Sequence, residues 1–335
     1  MISRRCVVLT LAAGVFGFPL APLAQAQPAP GVHRIGFLAA RSRSTPLNPD
    51  LYYDAFVEGM RELGYVEGTN LVIEWRFADA KFERLPSLAM ELVQLKPEVI
   101  VTHGAPPVFA LQKVTSTIPV VTAAVADPVA SGFAASLSRP GGNITGLSVL
   151  LADLSAKKLE LIRLMIPTLS RVAIIIGGNN AAHQLILKNT EVAAQRYGMK
   201  LLHAAPTSLE EVERDFGVLA RERAEAVIIA ANPRFVSDAF RRQFVTLAIK
   251  HRRPTIFDYR DDVVAGGLMS YGQNLPDSYR RAASYVDRIF RGAKPGELPF
   301  EQPTRIHLAI NRKTAKALGL AVPQELLLRA DEVIE

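Results

Sequence analysis

Residues 98–128 read EVIVTHGAPPVFALQKVTSTIPVVTAAVADP, and this stretch decides the fold. It opens with the apolar run Glu98–Val101 and ends around a second run, Pro119–Val125. Runs that are nearly continuous in valine, isoleucine and alanine are typical of parallel strands that helices cover on both faces. Because Gly104 directly after the first run is a plausible helix start, the stretch predicts a strand, a helix and a second strand.

The same alternation continues on both sides of this unit. Between the apolar runs the period becomes helical, as at Leu51, Ala55, Met60 and Leu63. The other candidate strands are Arg34–Leu38, Leu71–Trp75, Arg171–Ile176, Lys200–His203, Ala226–Ala230 and Thr255–Phe257. Alternation over this length predicts an α/β protein with doubly wound parallel sheets.

Length and composition place the chain among ordinary globular proteins. Of its 335 residues, 49% are hydrophobic and 21% are charged, which excludes a disordered or collagen-like chain. The length suits two lobes of roughly 120–150 residues each. The formal net charge of +7 does not by itself indicate nucleic-acid binding. The paired arginines at 241–242, 252–253 and 280–281 fit solvated helix faces.

The first segment, Met1–Ala26, is predicted to be a secretory signal. Two arginines precede the apolar stretch Cys6–Leu20, and residues 24–26 (AQA) have the small-x-small form of a cleavage site. A membrane anchor is the weaker interpretation, because glycine and proline interrupt a run that is already short. Cleavage near Ala26 removes Cys6, the only cysteine, so we expect no disulfide and no thiolate site in the exported chain.

Two glycine-rich points interrupt the alternation of strands and helices. RPGGN at 139–143 is followed by an extended piece, Ile144–Ser148, and AGG at 265–267 is followed by Leu268–Gly272. Glycine content alone is equally compatible with surface turns. Because the two points divide the chain into about 33–143, 145–266 and 272–335, we interpret them as crossovers between two lobes.

Candidate ligand-binding residues follow the predicted strands, because ligands gather where the carboxyl ends of parallel strands meet loops and helix starts. They are Arg41, Ser42, His103, Gly104, Ala105, Ala124, Asp127, Asn179, Asn232, Asp258 and Tyr259. Small residues leave backbone N–H groups accessible, and a helix start favours an anion. The hypothesis is a small zwitterion with its carboxylate near Gly104 and Ala124 and its ammonium on Asp258, with Asp127 as the next acid.

Each candidate also has a purely structural interpretation. Asp127 and Asn232 precede prolines and fit turns, and Asp258 fits a helix cap or an arginine partner. His103 fits a strand end, and Arg41 fits a solvated loop.

Common catalytic patterns are missing from the sequence. The six histidines show no metal-ligand spacing, and there is no G-x-S-x-G elbow, no Walker phosphate loop and no GxGxxG after the first strand. We therefore expect no catalytic residue, no metal and no cofactor. An exported enzyme that uses Asp127 and Asp258 as acid and base is an alternative, and so is a sensory protein for a membrane receptor.

Four segments resemble the substrate-binding proteins of bacterial ABC transporters, in the family that includes tryptophan-binding lipoproteins of Gram-positive bacteria. They are FVEGMRELGYVEG (56–68), DPV (127–129) with RPGGNITG (139–146), GGLMSYG (266–272) and NRKTAKALGL (311–320). The resemblance extends from about His33 to Glu335. His103 and Ala105 depart from the Gly-Thr/Ser-Pro stretch that is common in the family.

The resemblance implies a type I periplasmic-binding-protein fold, with two lobes, three crossovers and a ligand cleft between the lobes. The third crossover would lie near Pro303–Asn311. Lobe I would then comprise 33–143 and 272–303, and lobe II 145–270 and 304–335. The implied protein is a monomeric periplasmic receptor that binds a small molecule such as an amino acid. Its partner would be an ABC permease in the inner membrane, with no role for nucleic acid.

Overall fold

A computed structural model describes residues 31–42, 50–149, 151–177, 181–232, 235 and 238–335. The predicted signal Met1–Ala26 and the candidate Asn179 lie outside the described residues, so both stay predictions. Within the described ranges, no helix combines the length and the apolar character needed to cross a membrane.

The described residues form twelve strands, and all eight strands predicted from the sequence are confirmed. The strands are β1 His33–Ala39, β2 Leu71–Phe77, β3 Val99–Thr102, β4 Val120–Ala126, β5 Ile144–Val149, β6 Arg171–Ile175, β7 Lys200–Ala204, β8 Ala226–Ile229, β9 Thr255–Phe257, β10 Met269–Gln273, β11 Ile306–Asn311 and β12 Glu332–Ile334.

Eleven α-helices connect these strands in the described part of the chain. They are α1 Leu51–Glu62, α2 Leu85–Gln94, α3 Ala105–Val114, α4 Ser155–Met165, α5 Ala181–Arg196, α6 Leu209–Arg221, α7 Asp238–Lys250, α8 Arg260–Val264, α9 Leu275–Phe290, α10 Arg312–Leu318 and α11 Gln324–Arg329. Polar caps fix several starts: the Asp50 side chain accepts from the Tyr52 amide at 3.0 Å, and Ser208 caps α6.

The strands form two sheets, which confirms the predicted α/β fold with two parallel-sheet lobes. The first sheet has the order β2-β1-β3-β4-β5 and is parallel throughout. The second has the order β12-β11-β10-β9-β8-β6-β7. Its strands are parallel except at β10 and β11, which pair in the antiparallel direction. The buried strand faces and the helices packed on them supply the hydrophobic core of each lobe.

The strands at the predicted crossovers belong to the sheets themselves, which corrects the predicted bounds by a few residues. β5 is buried along its length and pairs with β4, so the first sheet continues past residue 143. β10 pairs with β9 and therefore lies in the second sheet, although the first lobe was expected to resume at residue 272. After Glu301, which bridges to Leu147, the chain enters the second sheet at β11.

Gly272 generates a stability prediction, because its backbone lies against the carbonyl oxygen of Asp258. A β-carbon at position 272 would overlap that oxygen, whereas one at Gly142 would meet no described atom within 4 Å. Gly272→Ala should therefore lower the free energy of unfolding by about 1–3 kcal/mol. Gly142→Ala should change it by less than about 0.5 kcal/mol. Urea denaturation measures both, and equal stabilities would contradict the close approach.

Candidate ligand-binding site

A cavity of about 370 Å³ lies between the two lobes. The carboxyl ends of β1, β3 and β4 border it on the first lobe, and those of β8 and β9 border it on the second. Both lobes therefore contribute side chains to one cavity. This is the position at which parallel α/β sheets bind ligands.

Aromatic rings make up much of the cavity wall. They are Phe37, Tyr52, Tyr53, Phe109, Phe235, Phe244, Phe257, Tyr259 and Tyr279. The rings of Tyr52 and Tyr279 are stacked, with centroids 5.5 Å apart and planes 21° from parallel. Such a wall suits a ligand with a flat apolar body.

Arg41, one of the predicted residues, is held at the cavity by two contacts. Its Nη2 lies 3.1 Å from Asp50 Oδ2, and its guanidinium carbon lies 4.4 Å from the centre of the Tyr52 ring. Burial, the largest single influence, would lower the pKa of Arg41, but Asp50 and the neighbouring tyrosine hydroxyls together outweigh it and the pKa is raised. Arg41 is therefore a fixed cation and not a solvated loop residue.

His103 also lines the cavity, as predicted, and its ring is neutral. Its Nδ1 lies 2.9 Å from the hydroxyl of Tyr279. Burial, together with the charge of Arg41, lowers the pKa of His103 to about 3. The imidazole thus offers a hydrogen-bonding nitrogen without a charge across the physiological pH range.

Asp258 lines the cavity, but its predicted partner was wrong. The carboxylate forms a buried ion pair with Lys158, and its Oδ2 accepts from the Ala231 amide at 2.5 Å. Both side chains are about 1% exposed. Because Lys158 already supplies an ammonium, Asp258 is not an open acceptor for the ammonium of a ligand.

The predicted anion site at Gly104 is also largely occupied within the protein. Gly104 has a φ of 81° and caps α3, but its N–H donates to the Ala124 carbonyl at 2.8 Å. The next residues of the helix are Ala105, Pro106 and Pro107, and prolines have no N–H. Although Gly104, Ala105 and Ala124 line the cavity, this helix start offers few donors to a carboxylate.

The remaining predicted residues divide into two groups. Tyr259 and Asn232 line the cavity, and the Asn232 amide donates to the Gly177 carbonyl. Asp127 and Ser42 are not among the lining residues. Asp127 has a φ of 38° and accepts from the Ala130 amide at 2.9 Å, so it forms the turn that its following proline suggested.

Sequence reasoning missed an ion pair in the second-lobe wall. Arg241 Nε lies 3.0 Å from Asp262 Oδ1, and both residues line the cavity. Arg241 was interpreted as part of a solvated face, but its side chain is only 14% exposed. Burial raises the pKa of Asp262 to about 6, although Arg241 opposes the shift. The only signal in the sequence was the Asp261-Asp262 pair, which begins four residues beyond the end of β9.

A hydrogen bond joins the two lobes across the cleft. The hydroxyl of Tyr52, on α1, donates to the carboxylate of Asp261, on α8. The guanidinium of Arg41 also lies over the Tyr52 ring, so the Tyr52 side chain contacts both a cation of the first lobe and an acid of the second. In the described residues, no group of three histidine, cysteine or acidic side chains is arranged to hold a metal.

Two parallel-sheet lobes around a shared cavity define the class of two-lobed solute-binding proteins. The family model described as ABC transporter substrate binding protein matches residues 48–334, and the chain belongs to this family. The resemblance seen in the sequence is thereby confirmed. Members of this family bind small-molecule ligands outside the cytoplasm and deliver them to ABC permeases.

Individual relatives are distant in sequence and similar in fold. A tyrosine-binding protein from Clostridioides difficile (strain R20291) is 23% identical over 266 residues, covering 79% of this chain and 75% of that protein. A conserved domain protein from Vibrio cholerae has a TM-score of 0.82 and 24% identity, with 90% of this chain and 99% of that one covered. An ABC domain from Streptococcus pneumoniae in complex with L-Trp also has a TM-score of 0.82, at 22% identity, with 90% and 100% covered.

The pair of Lys158 and Asp258 generates the prediction for this site. Lys158→Met leaves a buried carboxylate without its counter-ion and should destabilise the protein by about 3–5 kcal/mol. The neighbouring Lys157 is half-exposed and pairs with Glu160, so Lys157→Met should cost no more than about 1 kcal/mol.

A double variant distinguishes charge from packing. If the unpaired charge causes the loss, Lys158→Met with Asp258→Asn should recover most of the stability measured by urea denaturation. A double variant as unstable as Lys158→Met alone would assign the loss to packing and contradict the prediction.

Proposed function

We propose that this protein is the periplasmic solute receptor of an ABC importer and that its ligand is an amino acid with an aromatic side chain. In this proposal Met1–Ala26 directs export and is cleaved near Ala26. The exported chain acts as a monomer and delivers its ligand to a permease in the inner membrane. It binds the ligand without transforming it.

The observation that carries the proposal is the aromatic wall of the interlobe cavity. A sugar presents hydroxyl groups on all sides and needs many polar partners, since each buried hydroxyl without a partner costs free energy. Here the polar atoms of Asp258 and Asn232 are already engaged within the protein. An indole or phenol ring gains more binding free energy from such a wall than a sugar does, because it buries more apolar area and can stack on the aromatic rings.

The charges of the cavity suit a zwitterion. Arg41 pairs with Asp50, Lys158 with Asp258 and Arg241 with Asp262, so the charges of these three pairs balance. A ligand with one positive and one negative group preserves this balance. The tyrosine-binding relative and the related structure in complex with L-Trp support an aromatic amino acid.

In this proposal Arg41 binds the carboxylate of the ligand and Asp262 binds its ammonium. A guanidinium has five N–H donors, so Arg41 can hold Asp50 and still donate to a ligand carboxylate. Asp262 lies on the opposite lobe, at the cavity wall. An ammonium placed there would offset the burial of its carboxylate. A ligand held at both ends favours closure, because it contacts both lobes only when they are together.

Calorimetry on the exported chain tests the ligand class. L-Trp or L-Tyr should bind, and D-arabinose should not. Arg41→Gln should weaken amino-acid binding by about 10- to 100-fold, since it removes the charged partner of the carboxylate. Arg139→Gln, on an exposed first-lobe loop, is the matched control and should bind like the wild type. Sugar binding without amino-acid binding would contradict the proposal.

The pH dependence of binding tests the role of Asp262. Its pKa is about 6 without ligand, and a nearby ammonium stabilises the ionised form, so bound ligand lowers the pKa. Affinity for L-Trp should therefore be constant above about pH 7 and fall below about pH 6, by up to about tenfold per pH unit. His103 does not titrate in this range because its pKa is about 3.

Indole-3-propionate is the control ligand, since it has the ring and the carboxylate but no ammonium. Its affinity should not fall over the same range. A flat pH profile for L-Trp, measured by calorimetry between about pH 5 and 8, would remove Asp262 from the ammonium site.

A further inference from the structure

A second concavity, of about 480 Å³, lies outside the cleft between helix α1 and strand β2. We call it the α1–β2 groove. Its lining residues are Tyr53, Asp54, Val57, Glu58, Arg61, Glu67, Trp75 and Phe77. β2 is the edge strand of the first sheet, so no other strand in the described part of the chain covers this side.

The floor of the groove is aromatic. Trp75 and Phe77 are half-buried, and their rings are stacked with centroids 5.8 Å apart and planes 10° from parallel. Tyr53 lies 5.5 Å from Trp75 and 5.7 Å from Phe77, measured between ring centres. Ring faces of this kind attract cations.

The rim of the groove is acidic. It carries Asp54, Glu58 and Glu67 against one cation, Arg61, which is bonded to Glu58. Asp54 and Glu67 form no ion pair with another described residue. The whole chain has a formal charge of +7, so this acidic groove is opposite in sign to the protein that carries it. The net charge of the chain disfavours the approach of a basic segment, and this groove attracts one.

We propose that the α1–β2 groove receives an arginine or lysine side chain from the transporter subunit to which the protein delivers its ligand. The cation would lie on the rings of Trp75 and Phe77, with Asp54 and Glu67 as its counter-charges. This proposal rests on the transport role given above but not on the identity of the ligand.

The position of Tyr53 places this docking surface next to the ligand. Its side chain lines both the interlobe cavity and the groove. It also packs on Phe37, at 5.4 Å between ring centres, and Phe37 lies 4.5 Å from Trp75. A continuous set of rings thus connects the cavity with the surface that the partner would touch.

Trp75 provides the experiment, because it is the only tryptophan in the chain and its emission reports on the groove. The probe is an end-blocked hexapeptide of alternating glycine and arginine. It should change the emission of Trp75 saturably, and the effect should weaken by at least about threefold between about 20 and 300 mM salt. The same peptide with citrulline, which has nearly the same shape but no charge, should have no effect.

Charge-neutralising variants locate the binding. Asp54→Asn combined with Glu67→Gln should raise the apparent Kd of the arginine peptide by about 3- to 10-fold, since it removes two counter-charges. Glu83→Gln, at an exposed acid outside the groove, is the matched control and should leave the Kd unchanged. Neither variant replaces a residue that lines the cavity.

Four outcomes would overturn the proposal: no saturable emission change up to about 10 mM peptide, equal responses to arginine and citrulline, equal losses in Glu83→Gln and the double variant, or self-association at the concentrations used. Self-association, seen by sedimentation, would assign the groove to a second copy of the chain. A failure of L-Trp to bind would contradict the proposed ligand and leave the peptide result intact, because the titration needs no ligand.

Discussion

The packing of helix α9 on helix α1 is the constraint on which the two-lobed arrangement depends. α9 follows the strands of the second sheet along the chain, yet it packs on α1 and β4 of the first lobe. The two helices approach closely at Gly59 of α1, where a β-carbon would lie 2.9 Å from the Arg280 carbonyl oxygen of α9. The Tyr65 hydroxyl also donates to Asp287 at 2.9 Å. The chain must therefore return to the first lobe at α9 before β11 and β12 complete the second sheet. The segments that cross between the lobes border the cleft.

This return also brings residues that are far apart in the sequence into one site. Tyr279 on α9 bonds His103 from the end of β3 and stacks on Tyr52 from α1. In the second lobe, Lys158 from α4 reaches Asp258 at the end of β9, 100 residues later. Lys158 and Asp258 are therefore not open partners for a ligand, because separating this fully buried pair leaves an unpaired charge in an apolar surrounding. The ligand must therefore complement pairs that already exist.

The repeating features of this fold were predictable from sequence, and the specific partners of its polar groups were not. Apolar runs identified eight strands, because strands that are buried on both faces share a composition rich in valine, isoleucine and alanine. The antiparallel pairing of β11 escaped prediction, since its direction depends on where the chain re-enters the sheet. Arg41 and His103 line the cavity because strand ends converge, and their contact with a ligand stays a prediction. Asp258 also lines the cavity, but its ion pair with Lys158 was not predicted, since Lys158 is distant in sequence and has no local pattern to mark it.

The interlobe bond between Tyr52 and Asp261 bears on how such a receptor responds to its ligand. A hydrogen bond to a charged group contributes about 1.5–3 kcal/mol net, because each partner gives up bonds to water when the lobes meet. Alone, that favours the joined form by a factor of about 10 to 150. This gain opposes the entropic cost of ordering the two lobes, so the bond lowers the free energy that a ligand must supply for closure. A ligand that contacts both lobes then needs only a modest differential affinity to shift the population. Because Tyr52 also holds Arg41, a ligand that engages Arg41 acts on the same side chain that joins the lobes.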